Sequence, residues 1–192
     1  MQHTIVALMQ DRPGVLNRAV SLFRRRGFNI ESLAVGHSET PGVSRMTLVV
    51  DVEDVEQVVK QLYRLIEVVK VSDVTSEPVV ERETALVKLH APAASRAGVV
   101  ALANVFGAKV VDVGANALIV ELTATPGKIE SFIENVRPFG IKEMTRTGRI
   151  AMLRGTPVHR IAVQHIDRGN GRAPESLSTS HHHFRSQADG VA

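Results

Sequence analysis

HTIVALMQDRPGVLNRAVSLFRRRG, residues 3–27, reads as a strand, a tight turn and a helix. His3 to Gln10 is apolar and rich in strand formers, and it ends at the turn-prone Asp11-Arg12-Pro13-Gly14. A helix is predicted next. Asp11 is suited to cap it and Pro13 to its first turn, while Leu16, Ala19, Val20 and Phe23 fall at helical spacing on one face. Arg24, Arg25 and Arg26 stand where cations favour a helix C-terminus, and Gly27 is the stop.

Reading outward, Phe28 to His37 is a second strand, with a loop at Glu39-Thr40-Pro41-Gly42. Val43 to Val52 is the return strand, alternating Met46, Leu48, Val50 and Val52 against Arg45, Thr47 and Asp51. Asp54 opens a second helix whose apolar face is Val55, Val58, Val59, Leu62 and Ile66, and Val68 to Thr75 is a fourth strand. The order is βαββαβ, a ferredoxin-like split unit.

Ser76-Glu77-Pro78 reads as a short linker, after which the same order returns. Thr84 to His90 is a strand and Ser95 to Phe106 a helix with Val99, Leu102, Ala103 and Phe106 inward. Lys109 to Val113 and Leu118 to Thr123 form a hairpin. Thr125-Pro126 starts a helix with Ile129, Phe132, Ile133 and Val136 inward, and Ile141 to Thr147 is the last strand. The fold class expected is therefore α+β, with two tandem ferredoxin-like domains over residues 1–76 and 77–155. Residues 156–192, rich in Gly, Ser, Pro and His, are expected to be a disordered tail. The run His181-His182-His183 is expected to be part of that solvated tail rather than a metal site, because adjacent histidines without a scaffold make no selective ligand set.

Composition narrows the function. With 44% hydrophobic and 22% charged residues the chain has the balance of a globular protein, and its apolar runs are too short to cross a bilayer. No basic stretch with a long apolar core opens it, and it has no cysteine, so a cytoplasmic protein without disulfides is expected. A net charge of +3 is too weak to argue for nucleic acid. No nucleophile elbow, His-Glu-Xaa-Xaa-His or glycine-rich phosphate loop is present, and His3, His37 and His90 are scattered, so neither a catalytic centre nor a metal site is expected.

One stretch does suggest a ligand. At Gln10-Asp11-Arg12-Pro13-Gly14-Val15-Leu16 a strand hands over to a helix, whose N-terminal N–H groups suit a carboxylate. Gly14 lets a ligand approach the backbone, and Asp11 can face an ammonium group. A free amino acid needs both. The plainer reading, that Asp11, Pro13 and Gly14 only turn the chain and cap the helix, stands beside it.

The string Asp11-Arg12-Pro13-Gly14-Val15-Leu16 followed by RGFNIESL, residues 26–33, resembles an ACT domain, a small-molecule sensor of amino-acid metabolism. RRRGFNIESLAVGHSETPGVSRMTLVV, QLYRLI leading into VVKVSDVT, VERETALVKLHA, FGAKVVDVG and the stretch from Thr125 to Gly155 resemble the acetolactate (acetohydroxyacid) synthase small-subunit family more specifically. The resemblance implies a non-catalytic subunit that activates a large catalytic subunit and confers feedback inhibition by valine, or by leucine or isoleucine. It implies no cofactor in this chain, with thiamine diphosphate, Mg²⁺ and FAD in the large subunit. It also implies a homodimer through ACT domains, with the effector at the interface. The effector site so implied is Asp11, Gly14, Val15 and Leu16, completed by Asn29 and Ile30 of the neighbouring chain. The position of Asp11 is often Asn in the family, and the added negative charge bears on effector affinity or preference. Val35 either lines the apolar side of that site or is plain sheet core.

Two rival readings compete with this one. A stand-alone tandem-ACT sensor shares the fold but should lack RGFNIESL and SRMT. An RNA-binding module of this shape needs aromatic residues on its sheet, and the chain has 4% aromatics and no Trp.

Overall fold

The computed structural model describes residues 1–155. The expectations for residues 156–192, including the histidine run, lie outside them. The first half consists of β1 (Gln2–Gln10), α1 (Val15–Arg26), β2 (Asn29–His37), β3 (Val43–Asp51), α2 (Val55–Leu62) and β4 (Val68–Asp73). Its antiparallel sheet has the order β2-β3-β1-β4. Ile5, Ala7 and Met9 of β1 and Met46, Leu48 and Val50 of β3 point to one face, as the two-residue period requires, and pack under Val15, Ala19, Phe23, Val58 and Leu62 of the helices.

The second half repeats the order with β5 (Val79–His90), α3 (Ala93–Phe106), β6 (Lys109–Val113), β7 (Ala117–Ala124), α4 (Pro126–Val136) and β8 (Ile141–Arg146). These strands run β6-β7-β5-β8, and Ala85, Val87, Leu89, Leu118, Val120 and Leu122 face a helix layer centred on Phe132, Ile129 and Val99. The two ferredoxin-like units predicted from the sequence are present.

Several details differ from the sequence reading. The buried residues of α1 are Val15, Ala19, Leu22 and Phe23, while Leu16 and Val20 are 40% and 37% exposed. The helix starts at Val15, and i, i+4, i+7, i+8 from that residue is the stripe that meets the sheet. Asp11 does not cap α1. Gly14 occupies the cap position at φ 85°, a left-handed conformation suited to glycine, and no side chain bonds the first turn. Pro13 accordingly lies ahead of the helix. Ile66 lies beyond the end of α2 and is exposed.

The largest difference concerns the join. β5 begins at Val79, directly after the expected linker, and its first residues pair with β9 (Ile150–Leu153), a strand that the sequence reading did not contain. This ribbon lies on the helix-free face of the first sheet, where Val79 and Ala151 pack against Val6 and Val74. Arg45 of β3 donates from Nη2 to the Ala151 carbonyl at 2.8 Å. Burial lowers the pKa of that guanidinium, with Glu39 opposing.

The two edges of the first sheet differ. At β4 the Tyr63 hydroxyl accepts the Val71 N–H and donates to the Val71 carbonyl, both at 3.1 Å, so the edge is partly satisfied from within. Among the described residues no strand pairs with the outer side of β2. Tyr63→Phe is expected to lower stability by about 1 kcal/mol, since it frees two backbone groups at a site that water can partly reach. Chemical denaturation measures this, and an unchanged midpoint would mean that water replaces the hydroxyl fully.

Candidate functional site

The turn from β1 into α1 is hung from three sides. The Gln10 N–H donates to the Glu67 carbonyl and the Asp11 N–H to the Gly42 carbonyl, each at 2.8 Å. The Asp11 carboxylate lies 3.0 Å from Nδ1 of His37, the last residue of β2. Asp11 is thus tied to the far end of the open edge strand, and the first-turn N–H groups of α1 keep no side-chain partner. Those groups carry the positive end of the helix dipole and suit an anion.

The exposed apolar residues of α1 flank the same edge. Successive helix residues turn by about 100°. Arg18 bonds Glu67 at 2.6 Å, on the side of α1 toward β4. Leu16 and Val20 lie on the opposite flank, toward β2. Val35 stands opposite Met46, on the helix side of the sheet, and is 42% exposed. Val35 therefore sits at the rim of the sheet, beside that flank.

The predicted residues fall into two groups. Asp11, Gly14, Val15 and Leu16 lie together at one end of β2, although Val15 turns its side chain into the core and brings only backbone to the surface. Asn29 and Ile30 lie at the other end. Asn29 is in register with Asp51 and Gln2, whereas His37 is in register with Ser44 and Met9. Eight residues of strand separate the ends, roughly 26 Å at 3.3 Å per residue. Within one chain the groups do not meet. The Asn29 amide is exposed and bonds Glu31, the extra residue of a bulge between Ile30 and Ser32.

His37 is absent from the residues predicted from sequence. An acid ahead of α1 and an imidazole at the end of β2 were the available signal, but 26 residues separate them and only the fold brings them together.

Comparison with known proteins bears on this arrangement. Residues 5–70 match the family model described as the AHAS small subunit-like ACT domain, and residues 82–155 match that for the small subunit of acetolactate synthase. The chain is 52% identical over 157 residues to a probable acetolactate synthase small subunit of Archaeoglobus fulgidus, covering 81% of this chain and 98% of that one.

The chain belongs to the acetolactate synthase small-subunit family.

The small subunit of Mycolicibacterium smegmatis is 47% identical over 155 residues, covering 80% of this chain and 91% of its own. The crystal structure of the Thermotoga maritima small subunit superposes with a TM-score of 0.76 at 39% identity, covering 82% of this chain and 99% of that one. Membership of this family carries a regulatory role through ACT domains and implies a large catalytic subunit as partner. Among the described residues no helix is long and apolar enough to cross a membrane.

Proposed function

We propose that this chain activates an acetolactate synthase large subunit and makes it sensitive to valine, with leucine and isoleucine as further candidate effectors. The chemistry, and the thiamine diphosphate, Mg²⁺ and FAD that serve it, belong to the large subunit. This chain contributes a sensor and no cofactor of its own.

The observation that carries the reading is the arrangement along β2. An uncapped helix start with Asp11 beside it lies at one end of an open edge strand, and Asn29 lies at the other. Two copies pairing antiparallel along β2, about a two-fold axis near Leu33, would bring Asn29 of one protomer beside His37, Asp11 and Gly14 of its partner. The effector carboxylate would then take the α1 N–H groups, its ammonium Asp11, and its side chain the Leu16, Val20 and Val35 flank. A pocket that exists only when the edges are paired binds the two arrangements of a dimer differently, and that difference is what lets an effector shift the equilibrium. Discrimination against a side chain one methylene smaller would be about 1–3 kcal/mol.

Purified chain is expected to form no acetolactate from pyruvate when supplied with thiamine diphosphate. Mixed with its large subunit it should raise the rate and impose inhibition by valine. Valine should also raise the melting temperature of the chain alone in proportion to about RT ln(1 + [L]/Kd), some 2.7 kcal/mol at a hundredfold excess over Kd, and alanine should do so far less. Equal shifts with every amino acid, or a large-subunit rate that ignores the chain, would remove the basis for this reading.

A further inference from the structure

The segment Arg146-Thr147-Gly148-Arg149 is fastened at both ends. At its start Arg146 bonds Glu83 of β5 through Nε and Nη2 at 2.8 and 2.9 Å, and Glu130 of α4 through Nη1 at 3.1 Å. Thr147 exchanges two bonds with Thr84, backbone N–H to carbonyl at 3.0 Å and Thr84 N–H to the Thr147 hydroxyl at 3.1 Å. The segment is thereby part of the second domain's framework.

Its other end rests on the first domain. The Arg149 N–H donates to the Ser32 hydroxyl at 2.8 Å, directly after the β2 bulge. Arg149 Nη1 reaches the buried Thr4 hydroxyl of β1 at 3.2 Å and Glu81 at 3.4 Å. Gly148, at φ 81°, lies so close to β2 that a Cβ there would stand 2.9 Å from the Leu33 carbonyl oxygen and 3.0 Å from the Ser32 hydroxyl. A polar cleft of about 600 Å³, lined by Glu31, Gly127 and Glu130 among others, opens beside this contact. The second domain thus meets β2 through a stiff segment with open space next to it, at the middle of the strand.

We infer that residues 146–149 are the strut through which a displacement of β2, caused by effector binding at the seam, is passed to α4 and β5 of the second domain. Ser32, Gly148 and Arg149 are positioning residues in this scheme and touch no effector. The inference rests on the proposed effector site along β2. Its physical basis is that β2 shifts only if its contacts shift, and Gly148 is packed too tightly on the Leu33 carbonyl to stay behind. A bulge next to the contact gives the strand a place to flex. Loss of the strut would then separate effector binding from its readout.

The test is valine binding to the full chain by calorimetry, together with amide hydrogen exchange at free and saturating valine. In the wild type, valine should slow exchange in β2 and also change it in residues 141–153 and α4. Ser32→Ala removes the acceptor of the Arg149 N–H, and should keep Kd within about twofold while at least halving the exchange change in the second domain. Ser32→Thr, which retains a hydroxyl, should restore it. Gly148→Ala, which forces the segment off β2, should behave like Ser32→Ala. If wild-type exchange changes in β2 but nowhere in the second domain, the strut is wrong while the effector site stands. The strut is equally wrong if Ser32→Ala leaves the second-domain response whole, or if it abolishes binding, since Ser32 would then belong to the pocket. Absence of valine binding to the wild type would remove the effector site itself, and the strut with it.

Discussion

Holoenzyme reconstituted with the Gly14→Asp chain is expected to remain activated yet need more than ten times as much valine for half-inhibition. The substitution places a carboxylate at the α1 N-terminus, where it takes the N–H groups that the effector's own carboxylate would use. A Cβ at Gly14 meets nothing within 4 Å, so the new side chain has room. The left-handed backbone at φ 85° costs an aspartate about 1–2 kcal/mol, which the helix dipole offsets in part. The fold and the complex should therefore survive. Asn29→Ala tests the other half of the site. Its amide is exposed and among the described residues bonds Glu31 alone, so the loss of an intermolecular hydrogen bond, about 1 kcal/mol or some fivefold in affinity, should appear in the valine response and not in stability. Wild-type inhibition curves for both variants would mean that the effector binds elsewhere.

Arg146→Met is expected to lower the melting temperature by roughly 6–12 °C. Glu83 is only 7% exposed, and Arg146 supplies it with two hydrogen bonds while being held by Glu130 as well. These bonds, that to Glu83 first, raise the pKa of the guanidinium against its desolvation. Taking it away strands a carboxylate in the interior, at a cost of about 3 kcal/mol, and in a chain of this size each kcal/mol is worth about 2–4 °C. A double replacement, Glu83→Leu with Arg146→Met, should regain most of that loss, because the penalty belongs to the unpaired charge and not to the missing pair. Thermal unfolding of the single and double variants decides it. A single variant melting within 1 °C of wild type would mean that water reaches Glu83 freely.

Local pattern carried the two βαββαβ units because each strand and helix has its own periodicity and stop signals. What stayed hidden depends on contacts between distant residues. In α1 six apolar residues stand at positions 15, 16, 19, 20, 22 and 23, and periodicity does not decide which of them the sheet covers. Asp11 has the chemistry of a cap, but the left-handed Gly14 moves the helix start three residues on and leaves the acid to His37. Ile150 to Leu153 is four residues long with no flanking hairpin turn, and its burial comes from Val6 and Val74 of the other unit. Asp11 and Gly14 were legible as chemistry at the helix start, whereas Asn29, Ile30 and Val35 came from the family resemblance alone. Their separation into two ends of β2 was not, since only register reveals it. Ser32 and Gly148 gave no signal at all, for neither has a role until the two units touch.

The unequal edges of the first sheet limit how large an assembly can grow. A protomer open on both sides could add copies head to tail and extend into a fibre, with no geometric stop. Here the Tyr63 hydroxyl occupies the hydrogen-bonding groups of Val71 on the β4 side, while on the β2 side no strand among the described residues pairs with the outer edge. A contact that uses the same row on both partners consumes it, and neither member has another to offer. In a pair joined along β2 as proposed above, growth by strand addition through this sheet would therefore end at two. Losing the tyrosine ring would free the Val71 groups, and a pair formed along β2 would then have a second side through which further copies could add.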